Sequence, residues 1–154
     1  MESIIKACKI CYLALCNEGK PYVIPMNFAL HGDNVILHSG KHGRLWDTIQ
    51  NNKEVCINWT LGDGIKWQDV HVGCSYSVES RSVNVEGVLE VVDDYDEKYT
   101  LLKIFMSQYS DKEFKFSAPA VKNVVVYKVP IRQMTGRMFG VRPPYKTDMK
   151  GEKV

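Results

Sequence analysis

The sequence predicts a mainly β protein, an antiparallel sheet curled into a small barrel and accompanied by a few helices. Three observations carry that expectation. β-rich runs recur along most of the chain and are separated by short turn signals, so neighbouring runs should pair as hairpins. Only two stretches repeat their apolar residues at helical spacing. Six or so strands in a short chain would also leave exposed edges unless the sheet closes on itself.

Taken in order, CYLALC (residues 11–16) and PYVIPMNFAL (21–30) are two strands joined by NEGK, an Asn-to-Gly turn signal. Pro25 removes a ladder donor from the second run, which marks an edge strand or a backbone that faces something other than a neighbour. HGDN makes the next turn and VILHS (35–39) the third strand, expected to pair with VIPMNF upstream. Leu45, Ile49 and Trp46 then give a short helical face that stops at Asn51 and Asn52. EVCINWT (54–60) is the fourth strand. Residues 61–81 hold three glycines and no sustained period, and read as a long loop with a short strand around 74–78. SVNVEGVLEVV (82–92) alternates at strand period, with a bulge expected at Gly87. Asp94 followed by Glu97 resembles a capping box and opens the better helix, whose apolar residues are Leu101, Leu102, Phe105, Met106 and Tyr109. NVVVYKVPIRQMTG (123–136) reads as one last long strand.

At 154 residues the chain fits one domain, placed at 1–141, and 142–154 reads as a mobile C-terminal tail with little to bury. A formal net charge of +2 is too small for a nucleic-acid surface. No window approaches the ~20 apolar residues of a membrane span, and MESIIKACKI lacks the apolar core of a signal peptide, so a cytoplasmic location is expected. Five cysteines without a secretion signal read as reduced thiols. Cys8 and Cys11 form a C-x-x-C, and His38 and His42 could complete an imitation of a zinc site. The interval from Cys11 to His38 is too long for a zinc finger, and strands fill it, so small core-facing residues are the better account and no metal is expected.

Chemistry is concentrated in ILHSGKHGRLWDTIQNN (36–52), where cations and a hydroxyl meet a strand-to-helix junction. A phosphate needs donors converging from one side, including backbone N–H groups at a helix start. Ser39, Lys41 and Arg44 supply side chains, and Gly40 and Gly43 let the backbone approach without a Cβ. The proline-broken strand one hairpin upstream offers free backbone to a flat polar heterocycle. A phosphate pocket beside such a strand suits flavin mononucleotide (FMN).

YVIPMNF, LHSGKHGRLWDTIQNNKEVCINW, SRSVNVEGVLEVV, FMSQYS and VVVYKVPIRQMTGR follow one another in an order and spacing that resemble the flavin-binding split-barrel proteins of the pyridoxamine 5′-phosphate oxidase superfamily, in particular its nitroimidazole-resistance branch. The resemblance runs from Cys11 to Arg137. It implies an antiparallel split β-barrel of the FMN-binding type, assembled as a homodimer with two flavin sites at the subunit interface. By position, Ile24, Pro25, Met26 and Asn27 would lie along the isoalloxazine ring. Ser39 and Arg44 would hold the phosphate, with Lys41 close by, and Arg81 and Ser82 match a segment that meets the flavin. His38 matches a histidine near the ring that is discussed as an active-site residue.

Two departures qualify the match. Related proteins place two adjacent cations after the loop glycine, and Leu45 stands where the second would be. The Arg- and Trp-containing C-terminal segment of the true pyridoxamine phosphate oxidases is missing, so vitamin B6 oxidation is not expected. The implied activity is a flavin-dependent oxidoreductase that takes electrons from a nicotinamide donor to a small aromatic acceptor such as a nitroimidazole, with His38 as the catalytic candidate. A flavin carrier or sensor without turnover is the alternative, and a haem-handling barrel a third. FMN is the expected cofactor, with FAD open if its adenylate extends into solvent. His38 as a structural histidine, Lys41 and His42 as solvated loop residues, and Trp67 as either an anchor or a cover for the ring remain open on the sequence.

Overall fold

The computed structural model describes residues 1–140; the expected tail, 142–154, lies outside them. Helix α1 (Glu2–Ala7) precedes the hairpin β1 (Cys11–Asn17) and β2 (Lys20–Met26). Next come β3 (Ala29–His31), β4 (Asn34–Ser39), α2 (Arg44–Asn51) and β5 (Glu54–Lys66). A 3₁₀ turn at Gly73–Ser75 leads into β6 (Ser77–Val88) and β7 (Glu90–Val92). Helices α3 (Tyr95–Ser107) and α4 (Ala118–Asn123) are followed by β8 (Val125–Pro130) and β9 (Gln133–Phe139). No helix among the described residues is long and apolar enough to cross a membrane.

Two antiparallel sheets result, ordered β2-β1-β5-β6-β9 and β3-β4-β8-β7. The chain passes from one to the other four times, once through α2 between β4 and β5 and three times at tight corners: Asn27–Phe28, Leu89, and Ile131–Arg132. Each corner must satisfy backbone groups that leave a ladder. Leu89 N–H donates to Lys53 O (2.9 Å), Ile131 N–H to Asp33 O (2.9 Å) and Arg132 N–H to Glu86 O (3.0 Å). At the first corner, Phe28 N–H donates to the Tyr109 hydroxyl (2.7 Å), which is itself 2.7 Å from Phe28 O and 3.2 Å from Lys9 O. The architecture is an antiparallel split β-barrel.

The four-stranded sheet is buried on both faces. Val35 and Leu37 of β4 and Tyr127 and Val129 of β8 face the barrel core, while Ile36 and Val126 pack with Leu101, Leu102 and Phe105 of α3 and Val121 of α4. That is why VILHS and VVVYKV are nearly continuous apolar runs without alternation. In the barrel, Phe28 meets Trp59 edge-on at 5.2 Å, and both are fully buried.

Several sequence expectations are corrected. VIPM pairs with β1, Pro25 lying opposite Tyr12, and only Ala29, Leu30 and His31 pair with β4. Pro25 does sit on an edge strand. The supposed loop 61–81 is largely the long β5–β6 hairpin, whose register shift falls between Leu61 and Gly64 rather than at Gly87. Gly87 lies in register opposite Val55 and is needed for another reason: a Cβ there would collide with Pro130 O and come within 2.7 Å of Val129 Cγ1. The last long strand is two strands in different sheets, preceded by α4, and the described residues form nine strands where six or so were expected. Exposed edges also persist at β2 and β9, so the sheet does not close as expected.

The two turn signals hold. Glu18 and Gly19 both take positive φ (51° and 75°), the geometry of a two-residue hairpin turn, and Gly32 does so (55°) between β3 and β4. Asp94 caps α3 by accepting from Glu97 N–H at 2.8 Å. Replacing Gly87 with Ala should cost ~1–3 kcal/mol through overpacking against immovable backbone, read as a lowered urea midpoint at unchanged slope.

Candidate functional site

A cleft of about 400 Å³ opens where β2 leaves the first sheet. Ile24, Pro25, Met26 and Asn27 form one wall, and His38 and Ser39, at the end of β4, form the other. Ile10 and Leu45 complete the lining. Six of the ten residues singled out in the sequence thus converge here. β2 pairs only with β1, so alternate backbone N–H and C=O groups along it point away from the sheet, and Pro25 contributes no N–H to either side. Asn27 is fixed by donating from Nδ2 to Lys9 O at 3.2 Å.

His38 packs edge-to-face on Phe105 of α3, ring centroids 4.6 Å apart. Burial holds its imidazole below the ordinary value of 6.5, because charging it would strip water from the cation. The neutral ring therefore prevails at pH 7. Ser39 Oγ lies 2.7 Å from the Tyr127 hydroxyl and donates to Gly40 O at 2.9 Å. Burial pushes the Tyr127 phenol up, against the lowering effect of its bond to Ser39, so it stays protonated and donates.

The loop at 40–43 turns the chain into α2. Gly43 takes φ 89°, a region that favours glycine, and its carbonyl accepts from Asp47 N–H at 3.0 Å. The His42 ring folds over Gly40, 3.3 Å from where a Cβ would stand. Arg44 at the start of α2 lies over the Tyr22 ring (4.2 Å to the centroid) and reaches Pro21 O at 3.4 Å. Leu45, the residue in place of a second cation, is 6% exposed and belongs to the barrel core.

The remaining expected residues lie elsewhere. Lys41 lines a second cleft on the far side of the loop. Arg81 and Ser82 sit on β6, with β1 and β5 between them and β2, opposite Leu61 and Thr60. Trp67 is exposed and stacks on Tyr76 (5.5 Å, 17°) at the tip of the β5–β6 arm. Cys8 and Cys11 are buried in the core, and burial pushes the Cys11 thiol up to about 12, which keeps it protonated. Sequence reasoning missed Ile10, whose place follows from Cys11 pairing with Met26. It also missed Tyr127 and the corner role of Tyr109, for which apolar spacing carries no signal.

The pyridoxamine 5′-phosphate oxidase family matches residues 1–138. The chain belongs to that family. A solved structure from Bacteroides thetaiotaomicron, a candidate 5-nitroimidazole antibiotic resistance protein, is 42% identical, with 90% of this chain and 81% of that one covered and a TM-score of 0.80. The fold is shared with the flavocytochrome Anf3 from Azotobacter vinelandii (21% identity, 96% and 69% covered, TM-score 0.78). It is also shared with an FAD and haem binding protein from Mycobacterium smegmatis (16% identity, 91% and 70% covered, TM-score 0.80). No curated protein matches the chain.

The lowered His38 value has a consequence for stability. Below pH 6.5 the unfolded chain takes up a proton at this position that the folded chain resists, so stability present above 6.5 is lost as pH falls toward the folded value. The urea midpoint should decline over that window, and His38→Gln should flatten the decline.

Proposed function

We propose that the protein is a flavin-dependent oxidoreductase with FMN in the cleft between β2 and the end of β4. The observation that carries this is the convergence of Ile24, Pro25, Met26, Asn27, His38 and Ser39 on one cleft beside a strand-to-helix loop. The residues present fit the group. A volume of about 400 Å³ lies in the range of small-molecule clefts. The free edge of β2 offers backbone partners to a polar heterocycle. The phosphate would meet Ser39, the loop N–H groups and Arg44, whose guanidinium is held in place by Tyr22. When bound, the flavin supplies the capacity to accept hydride from a nicotinamide donor and pass electrons to a small aromatic acceptor such as a nitroimidazole.

His38 serves this reading as a hydrogen-bond donor. Its neutral ring keeps one N–H at physiological pH, suited to holding an oxygen of the acceptor rather than releasing a full proton. Phe105 fixes its plane.

Arg81 and Ser82 enter the proposal through a second copy of the chain. Ile65, Val78 and Phe139, all about half exposed or more, share one face of this end of the sheet with Ser82, and exposed Met138 shares the other with Arg81. A twofold-related copy that covers both faces of this end would bring Arg81 and Ser82 to the partner's cleft. The protein should then behave as a homodimer in sedimentation, and a flavin-bound monomer would refute the shared site.

Purified protein should be yellow, and its flavin absorbance should bleach anaerobically on adding a nicotinamide donor. Colour without bleaching favours a carrier or sensor, and a Soret band favours haem. Arg44→Ala should weaken FMN binding about tenfold or more, the scale of a charge-assisted bond. His38→Ala should leave FMN bound and slow turnover with a nitroaromatic acceptor; unchanged turnover would remove His38 from the chemistry.

A further inference from the structure

A second cleft, of about 470 Å³, lies across the 40–43 loop from the first. Its floor is apolar, with Val92 and Val125 buried, and Trp46 and Tyr95 stand among its walls. Three elements each bring one lysine to it: Lys41 from the loop, Lys98 from the first turn of α3, and Lys122 from the last turn of α4. Asp93 is the one carboxylate among the lining residues.

Lys98 is the telling member. It is 7% exposed, yet it makes no hydrogen bond or ion pair with any described residue. Its chain neighbour Glu97 is engaged instead by Lys128 at 2.6 Å. The Lys98 stem is covered while its ammonium keeps access to the cleft, since among the described residues Lys98 Nζ is not one of the buried side-chain atoms left without a partner. Burial first, and then the charge of Lys41, hold Lys98 below its usual range, with Asp93 opposing. The amine thus meets a cleft in which three lysines outnumber the one carboxylate, Asp93, leaving an excess of positive charge.

We propose that this cleft is a second binding site, distinct from the flavin cleft, for a small phosphate monoester with an aromatic body. The three ammonium groups would receive the phosphate dianion as point charges. Trp46, Tyr95 and the valine floor would take the ring. Nothing in this depends on the flavin reading.

Calorimetric titration of the full chain tests it, with phenyl phosphate as probe, inorganic phosphate as the anion alone and phenol as the body alone. Phenyl phosphate should bind saturably, inorganic phosphate more weakly, and phenol not measurably. Lys98→Met keeps the buried stem and removes the charge, so the variant should fold and lose about tenfold or more in affinity for phenyl phosphate. Lys122→Gln, at an exposed position, should weaken binding in the same direction. FMN content should be unchanged in both. Absence of saturable binding overturns the proposal, as does equal affinity in the native protein and both variants. Parallel loss of phenyl phosphate and FMN from Lys98→Met would also overturn it, by merging this cleft with the flavin site.

Discussion

The Tyr109 hydroxyl holds the corner on which both the barrel and the cleft depend. Between β2 and β3 the chain changes sheets, and at Phe28 neither backbone polar group has a ladder partner. One hydroxyl stands 2.7 Å from each of them. Leaving such groups buried and unpaired costs about 1–3 kcal/mol apiece, so a bend here would be unfavourable without that side chain. The same helix end sends Phe105 against His38. The two walls of the cleft, β2 on one side and the end of β4 on the other, are therefore referenced to one rigid element. A site built this way keeps its geometry without either wall having to pack through the other.

Glycine enters the design where backbone crosses backbone. β6 and β8 belong to different sheets, yet a Cβ on Gly87 would collide with Pro130 O. Close approach at that point lets Arg132 N–H reach Glu86 O and end the passage from β8 to β9. The third corner thus requires a residue without a side chain. In the sequence, a glycine in an alternating strand signals either a bulge or a close contact, and only the register distinguishes them.

What the sequence disclosed follows from which interactions are local. Turn signals at 17–20 and 31–34, the Asp94 cap and the apolar face of α2 are decided within a few residues, and all hold. The corners are not local. PYVIPMNFAL and NVVVYKVPIRQMTG look like single strands because β-propensity is indifferent to which sheet a residue joins. The groups that break them, Tyr109, Asp33 and Glu86, are remote in the chain or in the other sheet. Residues 61–81 were obscured differently. Their strand residues face solvent on an exposed arm, so Ile65, Val78 and their neighbours show no burial alternation to read. For the site, proximity along one hairpin placed β2 beside the loop, whereas Lys41 turns to the opposite side, which only the fold decides.

The two clefts differ in the electrostatics that the same loop imposes. On one side Leu45, committed to the core at 6% exposure, excludes a second cation, and His38 is kept neutral by burial. The nearest cation established on that side is Arg44, just outside the lining and pre-oriented over Tyr22. A lysine in place of Leu45 would have to bury its stem in the barrel and send its charge past the core, so the packing of α2 itself argues against the paired cations of related proteins. On the other side, Lys41, Lys98 and Lys122 concentrate positive charge on an apolar floor. A cleft whose own lining carries no formal charge and is largely apolar suits a ring whose charge changes during a reaction, because each fixed dipole then counts for more than it would in water. A cationic one suits a ligand that arrives already charged. One loop, 40–43, borders both, so a short chain carries two electrostatic environments side by side.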